Sequence, residues 1–250
     1  LYLPLLSKSK KGFIMKKIIH RAEDRGYADH GWLKAHHSFS FANYYDQSKV
    51  HFGELRVFND DSIAPGKGFG KHPHDNMEIV TIPLSGAVKH GDSMGNQGII
   101  NAGDVQIMSA GKGIVHSEYN ASASGFLNLF QIWVFPKVRN IEPRYDQKTF
   151  LAEDRKGKFQ VLVSPDKADG SMWVNQDVWF VRGDFAKGTE ISYAPKLKGN
   201  GLYLMVISGE VQVAGDTLKK RDAIGLWDLD KADIKTDSDA ELLIIDVPMV

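Results

Sequence analysis

The chain contains no cysteine. That excludes disulfides, thiolate metal sites, iron–sulfur clusters and a cysteine nucleophile, and it fits a reducing compartment. Net charge is also missing, because 31 basic residues balance 31 acidic ones. The basic footprint of a duplex-DNA binder is therefore absent, and no direct nucleic-acid partner is expected. No apolar run is long enough to span a bilayer as a helix, so no membrane partner is expected and the expected location is cytoplasmic. Helical periodicity is scarce. Histidine is unevenly spread: all nine precede Ser117.

What is there reads as β-structure. Short apolar or alternating runs recur between Gly, Asp, Asn and Pro, the pattern of an all-β chain. Expected strands in the first half are 53–58, 78–84, 87–90, 105–108, 114–118 and 127–135. In the second half they are 159–163, 178–183, 189–193, 203–207, 210–213, 224–227 and 242–247. Strands at this spacing close into barrels or jelly rolls, which removes exposed edges.

The segment 143–158 is polar and charged, with a short helix or linker expected at Ala152–Lys158. The division expected is 15–148 for an N-terminal unit and 149–250 for a C-terminal unit. Residues 1–14 place a short apolar stretch before lysines, the reverse of a secretory signal. They are expected to be upstream or non-native sequence ahead of Met15.

A weak repeat relates the halves. Leu84-Ser85-Gly86-Ala87-Val88 resembles Ile207-Ser208-Gly209-Glu210-Val211, and Gly103-Asp104 resembles Arg221-Asp222. On that alignment His72 and His74 fall opposite Pro195 and Leu197, and His116 and Glu118 opposite Ile234 and Thr236. The second half is expected to lack metal ligands.

Two ligand pairs stand out, His72-Pro73-His74 and His116-Ser117-Glu118. Alternate residues of a strand point the same way, so each pair can aim both side chains into a barrel. Two such strands would offer three imidazoles and one carboxylate to one divalent ion. That set suits Fe(II), Mn(II), Ni(II), Cu(II) or Zn(II) and leaves coordination positions open for chemistry.

Other features read as structural. Gly66, Gly68 and Gly70 lack a following Gly-Lys-Ser/Thr and are expected to form the tight turn that delivers His72. Asn59-Asp60-Asp61 is expected to be a solvated turn, and Leu218-Lys219-Lys220-Arg221 a solvated basic turn. His36-His37 is expected in a strand and loop packed on a barrel. His20, His30, His51 and His90 are expected to be structural or exposed.

The stretch Gly66 to Glu78, closing at Ser85-Gly86, resembles the first motif of the cupin superfamily. Gly103-Asp104 with Ser109-Ala110-Gly111-Lys-Gly113-Ile-Val-His116-Ser-Glu118-Tyr-Asn120 resembles the second. The spacing departs from general cupins in a way similar to the pirin family. Arg25-Gly26, His30-Gly31-Trp32-Leu33, His37-Ser-Phe39-Ser-Phe41 and Gln131-Ile-Trp133 carry the same resemblance.

The resemblance implies two cupin (jelly-roll β-barrel) domains packed face to face with few short helices, compatible with a monomer. It implies one metal, Fe(II) by preference, held by His72, His74, His116 and Glu118. Glu78 sits where many cupins carry a carboxylate ligand, but is read here as a supporting strand residue. The activity implied is oxidative cleavage of flavonols such as quercetin by O2, releasing carbon monoxide and a depside. Glu118 would then also accept the substrate proton. The alternative implied is an iron-dependent redox-sensing regulator that binds a transcription factor or a metabolic enzyme.

Overall fold

The structure, a computed structural model, describes residues 7–8 and 14–249. The expectation for residues 1–14 falls almost wholly outside them. Four sheets form two barrels, each a large sheet closed by a four-stranded one. In the first barrel the large sheet runs Arg144–Thr149, Asp104–Ser109, Glu78–Ser85, Leu127–Val134, Leu55–Ile63, Leu33–His37, Gly26–Asp29. Its four-stranded sheet runs Gly68–His74, Ile114–Asn120, Ala87–Asp92, Gln97–Asn101. The second barrel repeats this order, with Asn200–Ser208, Ala240–Pro248, Trp179–Phe185 and Phe159–Ser164 central to its large sheet. Helix is confined to three short 3-10 turns among the described residues, Ala22–Asp24, Ala152–Arg155 and Ala168–Gly170. No helix among them is long and apolar enough to cross a membrane.

The repeat seen in the sequence is structural. Gly86 and Gly209 both end a strand of the large sheet and both adopt a positive φ, +79° and +89°. A Cβ at either would meet backbone, at 3.1 Å from Phe126 O for Gly86 and 2.2 Å from Asp239 O for Gly209. One strand crosses between the barrels. Ile14–His20 pairs with Ala223–Trp227 in the second barrel's large sheet. It occupies the place that Arg144–Thr149 takes beside Asp104–Ser109 in the first.

The barrels meet through the outer faces of their large sheets. Leu55, Phe58, Ile82, Phe130 and Ile132 of the first pack in one buried cluster with Phe180, Tyr203, Met205, Leu243 and Ile245 of the second. Several of these strands are thus buried on both faces and read as continuous apolar runs. Polar ties cross the same junction. Arg221 pairs with Asp60 at 2.8 Å and lies over the Phe130 ring, and Arg144 Nη1 donates to Trp173 O at 2.8 Å. The run 218–221 is therefore not simply solvated, since Leu218 is buried and Arg221 bridges the barrels.

The two interiors differ in kind. The second barrel is filled by a single apolar cluster that includes Val181, Leu204, Val211, Ile234 and Ile244. The first contains two separate apolar clusters, one around Leu33, Ile63, Val88 and Leu129, the other around Ile79, Met108 and Ile114. Thr81, His90, Gln106, His116, Glu118 and Gln131 are buried residues of its inner strands. Ile234 and Thr236 are buried at the places where the first barrel has His116 and Glu118. Pro195 and Leu197 lie just past the strand Glu190–Tyr193 rather than on it.

Candidate metal centre

The strands Gly68–His74 and Ile114–Asn120 pair antiparallel, with His116 opposite His72. A bulge between His116 and Glu118 inserts an extra residue on the facing strand. The close approach there depends on glycine: a Cβ on Gly68 would lie 2.2 Å from Glu118 O. The expected glycine turn is thus mainly a strand. Gly66, at φ +64°, makes the turn before it, while Gly68 and Gly70 belong to the strand itself.

His72, His74 and His116 converge. Their ring centroids are 4.4 to 4.9 Å apart, and one nitrogen of each lies within 4.8 Å of the others. The Gly70 carbonyl accepts from His72 Nδ1 at 2.8 Å, which leaves the Nε2 lone pair free. His116 is buried, and neither of its ring nitrogens has a hydrogen-bond partner among the described residues. Each buried polar atom left unpaired costs about 1–3 kcal/mol. Burial, with the neighbouring imidazoles, lowers His116 to about 3; burial and His72 lower His74 to about 4. Both are neutral at pH 7, the form that binds metal. Three convergent rings, one with both nitrogens unsatisfied among the described residues, fit a divalent ion.

Glu118 is buried on the same strand as His116. Thr81 Oγ1 donates to its Oε1 at 3.2 Å and Gln131 Nε2 to its Oε2 at 2.8 Å. Burial raises its carboxyl to about 7 despite those bonds. Its oxygen lies within 4.8 Å of ring nitrogens of His116 and His90, so the four expected side chains and His90 fall in two groups that share His116. His90 is a residue the sequence reading underrated. It is buried, stacks on Tyr145, and is held by Asp92 at 3.2 Å and Gln106 at 3.0 Å. Both its nitrogens are engaged, whereas those of His116 are free.

A cavity of about 460 Å³ opens onto this cluster. His72, His74 and Glu118 line one part, and Leu33, Ala35, Phe41, Phe69 and Trp133 give it an apolar wall. That size suits a small organic ligand. Polar residues that the sequence led one to expect in structural or solvated positions line the rest. His37, Asn59 and Asp61 all border the cavity. Asn59-Asp60-Asp61 is no solvated turn but the middle of the strand Leu55–Ile63. Its strand character was hidden by three consecutive polar residues; the flanking Val57-Phe58 and Ile63 were the available signal. Glu78 lies elsewhere. Its Oε2 accepts from Ser109 Oγ at 2.7 Å and from Asn175 N–H at 3.1 Å, at the junction with the second barrel.

The pirin family profile matches residues 19–134. A quercetin 2,3-dioxygenase of Escherichia coli K12 is 45% identical over 232 residues, covering 93% of this chain and 99% of that protein. This chain belongs to the pirin family. A profile described as quercetinase C-terminal cupin domain matches residues 161–247. A pirin-like protein of Caulobacter vibrioides is 44% identical over 223 residues, 88% of this chain and 95% of that one. Among solved structures, the bacterial pirin YhhW of E. coli in complex with nickel(II) superposes with a TM-score of 0.89. It is 43% identical, over 94% of this chain and 100% of that one. The two-barrel architecture described above is that of this pirin.

Proposed function

We propose that this pirin binds one divalent metal through His72, His74, His116 and Glu118 and cleaves a flavonol-like substrate with O2. The observation that carries the reading is His116, buried with both nitrogens unpaired beside two further imidazoles on a cavity of ligand size. In this reading residues 15–148 carry the chemistry and residues 149–250 contribute no ligand. The names of the E. coli enzyme and its relatives support the substrate class. Iron is the metal proposed; nickel in YhhW supports a first-row ion at such a site.

When bound, the ion supplies a net charge of about +1 after Glu118, which favours an ionised substrate hydroxyl and electron transfer toward O2. The protein's own part is positioning and proton transfer. Thr81 and Gln131 fix the Glu118 carboxylate, whose place on the cavity wall would let it accept the proton of a substrate hydroxyl. The apolar wall of Leu33, Phe41, Phe69 and Trp133 excludes water and holds an aromatic ring.

The test is anaerobic loading of metal-free protein with Fe(II), then addition of flavonol and O2. Loss of flavonol absorbance and release of carbon monoxide are followed together. Turnover is expected to require iron and to vanish in the His72→Ala, His74→Ala double variant. Glu118→Gln is expected to lower turnover by roughly 10²-fold or more, a larger effect than on metal content. Iron held tightly with no turnover would refute the enzyme reading and favour a redox-sensing regulator with a protein partner.

A further inference from the structure

The cavity has a second polar region that the metal chemistry does not use. Along Leu55–Ile63 burial alternates at its end: Asn59, Asp61 and Ile63 are buried, while Asp60 is turned toward Arg221 and Arg25. Asn59 is already committed, because its Oδ1 accepts from His37 Nδ1 at 2.8 Å. Asp61 is not. It is 4% exposed, it lines the cavity, and its Oδ1 has no hydrogen-bond partner among the described residues.

Apolar side chains surround this position. Asp61 pairs across the sheet with Ala35 on one side and Leu129 on the other, and Leu33 and Ile63 belong to the same cluster as these. Nothing in the register supplies a donor. A carboxyl group left in such a place is costly, and a leucine would fill it at no such cost. Burial, with Asp60 and Glu118 nearby, pushes its carboxyl up to about 8. Local rules broken without internal compensation are expected where function needs the group.

Its place relative to the metal cluster is set by the sheet. Gln131, which donates to Glu118, pairs with Asn59. Asp61 is the next inward residue, about 7 Å further along the strand. A flavonol anchored through its pyranone hydroxyl is long enough to bring a hydroxyl of another ring to that level. We propose that Asp61 is a specificity-determining residue of the cavity, pairing with a hydroxyl that the substrate carries away from the metal-binding end. The group selects polyhydroxylated aromatic substrates over bare ones. The inference rests on the dioxygenase reading above.

The experiment uses the iron-loaded protein and two flavonols, quercetin and 3-hydroxyflavone, which lacks every hydroxyl but the one at the pyranone. Wild type, Asp61→Asn and Asp61→Leu are compared for kcat/KM, and for anaerobic binding read from quenching of tryptophan fluorescence. The ratio of ratios cancels the intrinsic reactivity of the two compounds. Wild type is expected to favour quercetin more than the variants do by about 10-fold or more, mainly through KM and binding. Metal content should be unchanged, and Asp61→Leu should melt at or above wild type. A ratio of ratios near one, with both compounds still bound and cleaved, overturns the role of Asp61 alone. Wild type that neither binds nor cleaves either compound overturns the flavonol reading, and this inference with it.

Discussion

Glu78→Gln separates a structural carboxyl from a metal ligand. Glu78 is 1% exposed, and burial raises its carboxyl from 4.5 to about 7 against the opposing bonds from Asn175 and Ser109. A folded-state value above the unfolded one means the native protein binds the extra proton between about pH 4.5 and 7. Stability from this group is therefore fully present below the unfolded value and is lost as pH rises through the folded one. A shift of that size corresponds to about 3 kcal/mol at most, at about 1.4 kcal/mol for each pH unit. Glutamine keeps an oxygen for Ser109 and Asn175 and carries no charge. The variant should match wild type near pH 4.5 and be more stable at pH 8 by up to about 3 kcal/mol. For a chain of this size that is a rise in Tm of roughly 6–10 °C. The assay is thermal unfolding of both proteins across pH 4.5–8, with metal content measured on the same samples. Parallel stability curves would refute the burial argument. Loss of metal in the variant would refute the structural role and make Glu78 a ligand.

Two further predictions follow from the centre. Gly68→Ala should destabilise the protein by roughly 2 kcal/mol or more and weaken metal binding, because its Cβ would lie 2.2 Å from Glu118 O and 2.5 Å from Tyr119 Cα; chemical unfolding and metal titration check this, and unchanged metal affinity would sink it. In excess chelator His116→Leu should melt no lower than wild type, since a buried imidazole with two orphan nitrogens is replaced by an apolar group of similar size. Adding Ni(II) or Fe(II) should then raise Tm in wild type only; an equal rise in the variant would remove His116 from the site.

Much of the site was legible because strand geometry is local. His72 and His74, like His116 and Glu118, are two apart, and period-two alternation sends such pairs to one side whatever the rest of the chain does. The β-rich runs were equally clear. Trp179–Phe185 and Ala240–Pro248 were anticipated over most of their length from their Val, Ile, Leu and Phe content. Gly26–Asp29, Gln97–Asn101 and Ala232–Thr236 were not, because short strands with polar or small residues carry little of that signal. Asn59-Asp60-Asp61 was misread for the same reason: three polar residues resemble a turn until their neighbours in the sheet are known.

The chain's own order thus specified its β class, its twofold repeat and the spacing of two candidate ligand pairs, all properties that backbone geometry and composition express within a few residues. Pairing across distant strands settled everything else. It placed Ile14–His20 in the second barrel, turned His90 inward, tied Glu78 to Asn175 rather than to the histidines, and left Asp61 on the cavity wall with its Oδ1 unpaired among the described residues. Which face of a strand meets solvent, a neighbouring barrel or a cavity depends on contacts between residues far apart in sequence, and no local pattern encodes them.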